Sequence, residues 1–154
     1  MNRNGELNYL AGFFDGEGTI TGNATQRSDR KGSGRYRARM IVAVYGTDRT
    51  PLELFQKVLG GRINIHAARR RWGKRQLWIW CITSFPELAH FAEVMDGRLM
   101  VKARQFQLLK QYLATCQSSH CGSIPLTDEE LNRRIEIVRK VQQLNRPQFQ
   151  ESLI

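Results

Sequence analysis

Read from the N-terminus, hydrophobic residues first recur at helical spacing. Leu7, Leu10, Phe13 and Phe14 fall on one broad apolar side of a helix that runs into Asp15-Gly16-Glu17-Gly18. The side made by Asn8, Ala11, Gly12 and Asp15 is unusually small, which allows a second helix backbone to come close. Gly16 and Gly18 are expected to take positive φ and stop the helix. Glu17 is then presented at a helix end, between residues that cannot shield it.

The period then changes from helical to two. Over residues 19–28, Thr19, Thr21, Asn23, Thr25 and Arg27 alternate with Ile20, Gly22, Ala24 and Gln26, the pattern of a half-buried strand. Ser28 to Gly34 reads as a flexible basic loop. Over residues 35–46, Arg35, Arg37, Arg39, Ile41, Ala43 and Tyr45 share the polar face, against Tyr36, Ala38, Met40, Val42 and Val44. Thr50-Pro51-Leu52-Glu53 reads as a capping box opening a helix that ends at Gly60-Gly61. A second hairpin follows. Arg62, Asn64, His66, Ala68 and Arg70 alternate with Ile63, Ile65 and Ala67, Arg71 to Lys74 form the turn, and Gln76, Trp78 and Trp80 alternate with Leu77, Ile79 and Cys81. Ser84-Phe85-Pro86-Glu87 opens a helix to about Asp96-Gly97. A long helix is expected from Leu99 to about Cys116, then a loop, and a last helix capped at Thr127 that runs to about Leu144. After residue 146 the tail is expected to be loose. Two sequential hairpins with interspersed helices predict a single α+β domain, an antiparallel sheet covered by helices on one face.

Charge sharpens this picture. There are 24 Lys+Arg against 14 Asp+Glu, a formal net charge of +10, which suits a polyanion partner. Arg27, Arg30, Lys31, Arg35, Arg37 and Arg39 share a short stretch with one acid, Asp29, and from Leu54 to Pro86 there is none. The excess is therefore concentrated on the two hairpins. Asn23, His66, Tyr45 and Gln76 are interleaved with it, side chains able to read base edges, as arginine reads guanine. The plainer reading is a solvated, edge-protecting charged face. Trp78 and Trp80, outward by their parity with Gln76, read equally well as cross-strand cover or as DNA contacts. No apolar run approaches the ~18 residues of a membrane span, and Met1-Asn2-Arg3-Asn4 does not resemble a signal peptide. The 3 cysteines, Cys81, Cys116 and Cys121, form no disulfide framework, as expected of an intracellular protein. Cys116, His120 and Cys121 lack the fourth ligand and paired spacing of a zinc site.

Leu10-Ala11-Gly12-Phe13-Phe14-Asp15-Gly16-Glu17-Gly18 resembles the signature of the LAGLIDADG homing endonucleases. The resemblance implies αββαββ plus C-terminal helices, with a curved saddle of strands on DNA. It implies a homodimer with the small helix faces (Asn8, Ala11, Gly12, Asp15) in contact, each subunit supplying half of the enzyme. The activity implied is site-specific cleavage of both strands of a long, pseudo-palindromic duplex by an intron-encoded, Mg²⁺-dependent enzyme. Mn²⁺ would substitute, Ca²⁺ would bind without supporting cleavage, and neither a membrane nor a nucleotide cofactor would be involved. Glu17 would hold the metal with help from the Gly16 carbonyl; glutamate replaces the aspartate of the name-giving motif but remains an oxygen ligand. Lys102, in Leu99 to Gln105, matches the family lysine that polarises water or stabilises phosphate. Gln105 would be an outer partner, and Asp48 would order water near the metal. Without the resemblance, Lys102 is an ordinary surface lysine and Asp48 a turn residue. The DNA-contacting set would comprise Thr21, Asn23, Thr25, Arg27, Arg30, Lys31, Arg35, Arg37, Arg39, Ile41, Tyr45, Arg62, Asn64, His66, Arg70, Arg71, Lys74, Gln76 and Trp78. The alternative is a non-cleaving nucleic-acid binding module on the same scaffold, such as an RNA maturase or a regulator. A prokaryotic cytoplasm and an organelle both fit as the compartment.

Overall fold

A computed structural model describes residues 2–26, 36–66, 75–115 and 127–146. Five helices and four strands follow in the order α1 (Arg3–Glu17), β1 (Gly18–Gln26), β2 (Tyr36–Gly46), α2 (Arg49–Leu59), β3 (Arg62–Ile65), β4 (Trp78–Ile82), α3 (Phe85–Met95), α4 (Ala103–Ala114) and α5 (Asp128–Asn145). The strands form one antiparallel sheet in the order β1-β2-β4-β3. The expected α+β fold is thus the observed one. No helix among the described residues is long and apolar enough to cross a membrane.

One face of the sheet carries the core. Ile20, Met40, Val42, Val44, Trp80 and Ile82 are at most 1 % exposed and pack against Leu10 and Phe14 of α1, Phe55 of α2, Phe91 of α3, Leu109 of α4 and Val138 of α5. The Phe14 ring meets Phe91 edge-on at 5.0 Å, and Phe55 lies 5.0 Å from Trp80. This aromatic cluster ties α1 to the sheet and fixes where α1 ends.

That ending differs from the sequence expectation. Gly18 is extended (φ −81°, ψ 163°), and α1 runs helically through Gly16 and Glu17. Glycine is required at residue 18 by crowding: a Cβ there would lie 2.3 Å from the Phe14 ring. Left-handed backbone occurs instead at the Gly60-Gly61 turn (φ 73° and 91°), where a Cβ on Gly61 would also strike Trp80 and Ile82.

Two helix starts also moved. Asp48, not Thr50, is the N-cap of α2, its Oδ1 accepting from the Thr50 N–H at 2.9 Å. Two good caps stand within three residues, and the earlier one takes the helix. The helix expected from Leu99 begins at Ala103, because the preceding residues are held in a turn by α1, as described below. The caps at Ser84 and Thr127 are as read from the sequence.

The parity of β4 is the reverse of the expectation. Trp80 pairs with Val44 and with Ile63, so Trp78, Trp80 and Ile82 face the helices and Ile79 and Cys81 face outward. Both sets are apolar, so alternation alone could not tell them apart. The deciding contact is polar: the Trp80 indole N–H donates to the Gly60 carbonyl at 2.8 Å, which permits complete burial. Trp78 is covered on the helix side by the Arg49 guanidinium, 4.5 Å from its ring, and is therefore not on the face assigned to DNA. The same register gives Leu77 the outward parity, opposite His66, and sends Gln76 with Trp78.

Candidate active site and nucleic-acid interface

The outer face of the sheet is built by register. Thr21 stands opposite Ile41, Asn23 opposite Arg39 and Thr25 opposite Arg37. Asn23, Thr25, Arg37 and Arg39 are exposed and together line a recess. Further along, Ala43 lies between Thr19 and Cys81, and Cys81 pairs with Arg62; Tyr45 pairs with Ile79, and Ile79 with Asn64. The face thus has a small or apolar middle flanked on both sides by polar and basic residues. His66 joins Tyr45, edge to face at 5.8 Å. Arg27, Arg30, Lys31, Arg35, Arg70, Arg71 and Lys74 lie outside the described residues, as do Cys116, His120 and Cys121.

Ion pairs among the described residues are Arg49–Glu53, Lys110–Asp96 and Lys140–Glu136, all in the helical layer. The arginines of the outer face carry no such partner there, so their charge is available to an anion. Ile79 and Cys81 were missed as outer-face residues. The polar opposite numbers Arg62 and Asn64 were the only signal for them.

Replacing Arg37 or Arg39 by alanine is expected to weaken duplex binding without lowering the melting temperature, since both side chains are exposed. If the arginine reads a base, discrimination at that position falls by about 1–3 kcal/mol. If it touches phosphate, affinity falls evenly across sequences and the salt slope shrinks by about one. Binding isotherms over a salt series distinguish the two.

At the end of α1, the two acids of the motif have different surroundings. Asp15 is occupied: Oδ2 accepts from the N–H groups of Met100 and Val101 at 2.9 and 3.0 Å, and Oδ1 from that of Lys102 at 2.9 Å. Partial burial pushes its pKa up, but the bonds from Val101, Lys102 and Met100 and the nearby Lys102 charge outweigh that and hold it below the ordinary value. Glu17 is exposed, and among the described residues its carboxylate has no hydrogen bond or ion pair. The Asp15 oxygens are therefore engaged by backbone, and Glu17 is the free oxygen donor. Asp48 stands just past β2, at the end of the β1–β2 pair where Gly18 faces Val44, its pKa lowered by the Thr50 N–H and then the Thr50 hydroxyl. Its Oδ1 serves α2 as a cap, the plainer of its two readings.

Gln105 faces α5. Its amide donates to Asn145 Oδ1 at 3.4 Å, and Asn145 Nδ2 donates in turn to the Ile20 carbonyl at 2.8 Å. Asn145 was not singled out from the sequence, because a polar residue at a helix end carries no signal of its own.

The small face of α1 is also rearranged. Ala11 is 3 % exposed and belongs to the subunit's own core. Asn8 accepts from Arg98 and Asp15 binds the 100–102 turn. Of the four residues expected at a dimer contact, Asn8 and Gly12 are exposed, and open space lies beyond Gly12. Its companions on the free ridge are Tyr9 and Gly16, at i−3 and i+4; a Cβ on either glycine would meet nothing within 4 Å.

The chain thus combines an antiparallel sheet with helices on one face, a basic outer face on the other, and a free acid at the end of the first helix. The model of the LAGLIDADG endonuclease family matches residues 10–113, well over half of the chain, and the protein belongs to that family. Solved structures show the same fold. One is the archaeal intron-encoded homing endonuclease I-Vdi141I complexed with DNA, with 19% identity and a TM-score of 0.77, covering 97% of this chain and 90% of that one. Another is the homing endonuclease I-CvuI in complex with the I-CreI target, with 23% identity and a TM-score of 0.71, covering 92% and 82%. A third is the LAGLIDADG homing endonuclease I-GzeII in complex with its DNA target, with 17% identity and a TM-score of 0.64, covering 86% of this chain but 43% of that one. A search among curated proteins gave no match.

Proposed function

We propose that the protein is a homodimeric, divalent-metal-dependent homing endonuclease that cleaves both strands of a long, pseudo-palindromic duplex. The observation that carries this reading is the pairing of a free Glu17 carboxylate at the end of α1 with an outer sheet face whose arginines have no acid partner among the described residues. A pure binding module has use for the second feature and none for the first.

The donor chemistry fits a hard cation. Glu17 offers carboxylate oxygens, and the carbonyls at the end of α1, including that of Gly16, lack the partners a continuing helix would provide. Among the described residues, however, no group of three His, Cys, Asp or Glu is gathered in one subunit. One subunit supplies only part of a coordination sphere, and DNA oxygens and a second Glu17 would complete it. A bound Mg²⁺, with Mn²⁺ as a substitute, would acidify water and offset charge on the scissile phosphate. The protein's part is to present Glu17, to hold Lys102 beside the end of α1, and to align the duplex through the arginines and amides of the outer face. Gln105 and Asp48 would act from outside, through Asn145 and α2 respectively. The enzyme would work inside the cell, in a prokaryotic cytoplasm or an organelle, on the sequence its own intron interrupts.

The half-size match to I-GzeII supports a two-subunit enzyme, because this chain is about one of two such units in length. The free ridge of Tyr9, Gly12 and Gly16 suits a two-fold contact in which one patch meets its own copy. Gly12→Leu is therefore expected to separate the subunits and abolish double-strand cutting. On an unpartnered helix the same change would be tolerated, with a gain in helix propensity of up to ~1 kcal/mol. Sedimentation decides: a compact dimer of Gly12→Leu that cuts normally would place the contact elsewhere.

The test of the main reading is nicking of duplexes built from the DNA flanking the gene, with Mg²⁺, Mn²⁺, Ca²⁺ or no metal. Cleavage is expected with the first two and binding alone with Ca²⁺. Tight binding without cleavage in any metal would make the protein a binding module of the same family.

A further inference from the structure

The turn that leads into α4 has no side-chain anchor of its own at its middle. Met100 is 85% exposed and Val101 72%. Lys102 occupies the N-cap position with φ −91° and ψ 13° and makes no side-chain cap bond. The N–H groups of the residues that lead into a helix have no partner within it, so something else must satisfy them. Here that partner is Asp15, more than eighty residues earlier, whose two oxygens take the N–H groups of Met100, Val101 and Lys102. The other end of the same segment is tied to α1 as well: the Arg98 guanidinium donates to Asn8 and to Asn4, the latter at 3.3 Å, and its Nε donates to the Val94 carbonyl at 3.1 Å. Two polar ties, both to α1, hold a turn that exposes its apolar side chains.

The tie at Asp15 stands two residues before Glu17. One carboxylate therefore fixes the backbone of Lys102 relative to the end of the helix that carries Glu17. We propose that Asp15 is a positioning residue for cleavage: by clamping the start of α4 to the end of α1, it holds Lys102 where it can act on the same phosphate as Glu17. The inference rests on the cleavage reading above. It also separates the two acids of the motif, Glu17 meeting the reaction directly and Asp15 acting through Lys102.

The experiment is a double-mutant cycle in the full chain, with Asp15→Asn, Lys102→Met and the double variant. Asparagine keeps the shape but turns an N–H₂ toward backbone N–H groups, so at least one of the three bonds is lost. Asp15→Asn is expected to lower kcat by roughly 10–100-fold, the scale seen when an outer partner of a metal site is removed, with KM for the duplex nearly unchanged. In the Lys102→Met background the same substitution should cost almost nothing, because the group it positions is gone. Asp15→Glu, which keeps the charge one methylene further out, should recover part of the rate, and it replaces Asp15→Asn in the cycle if that variant fails to fold. Equal fold-losses in both backgrounds would reduce Asp15 to a structural role and overturn the proposal, as would a wild-type rate in Lys102→Met or Asp15→Asn. If wild-type protein binds but never cuts, the cleavage reading falls and takes the positioning role with it; if it cuts and the cycle is additive, only the positioning role falls.

Discussion

Glu17→Gln is expected to leave duplex binding near the wild-type level and to lower cleavage by roughly 10²-fold or more, the scale at which a stabiliser of transition-state charge is removed. The substitution keeps the length and shape of the side chain and removes its charge. Glu17 is exposed and bonds to no described residue, so the fold has little stake in it. Melting temperature should not move. On the proposed reading, duplex affinity would come from a different surface, the outer face that bears Arg37, Arg39 and Arg62. Gel-shift and cleavage on one substrate measure both quantities, and appreciable cutting by the mutant in Mg²⁺ would remove Glu17 from the metal site. The contrast with Asp15 is informative: both acids stand at the end of one helix, but one is committed to three backbone N–H groups and the other is free.

Trp80→Ala is expected to destabilise the protein by about 3–5 kcal/mol, the usual cost of truncating a large buried aromatic side chain. Trp80 is 0% exposed, lies 5.0 Å from the Phe55 ring and donates to the Gly60 carbonyl. The mutation leaves a cavity and strips the Gly60 carbonyl of its partner. Against a total stability on the order of 5–15 kcal/mol, that loss would remove a large share of the margin and lower the melting temperature markedly. Denaturant titration followed by circular dichroism measures it. A small stability loss with weakened DNA binding would return Trp80 to the outer face.

That experiment also marks where the sequence was legible. The caps at Ser84 and Thr127 announce α3 and α5 because each serine or threonine bonds an N–H within its own first turn. The alternation of β1 and β2 is clear because threonine, asparagine and arginine oppose isoleucine, methionine and valine. In β4 both faces are apolar, and the Gly60 carbonyl, which receives the Trp80 indole N–H, belongs to a turn outside the strand, so alternation does not report which face is buried. The start of α4 was misplaced for a similar reason: its cap comes from Asp15, and no local pattern reports a cap from another part of the chain. For the candidate site, Glu17 was legible as an acid between glycines, while the role of Asp15 and the place of Asn145 depend on contacts between remote segments. Ala11 joins the core because an alanine is small enough for either side of α1, and the pattern of small residues does not say which.

The β1 edge of the sheet has one more consequence. Its carbonyls at Ile20 and Gly22 are taken by the side-chain amides of Asn145 and Gln142 of α5, at 2.8 and 2.9 Å. The opposite edge, β3, is four residues long and begins with Arg62. Among the described residues, covered carbonyls on β1 and the shortness of β3 both hinder pairing with a foreign strand, the usual seed of fibrils. If the broad outer face meets the target proposed above, these two features would hinder growth of the sheet sideways while leaving that face open.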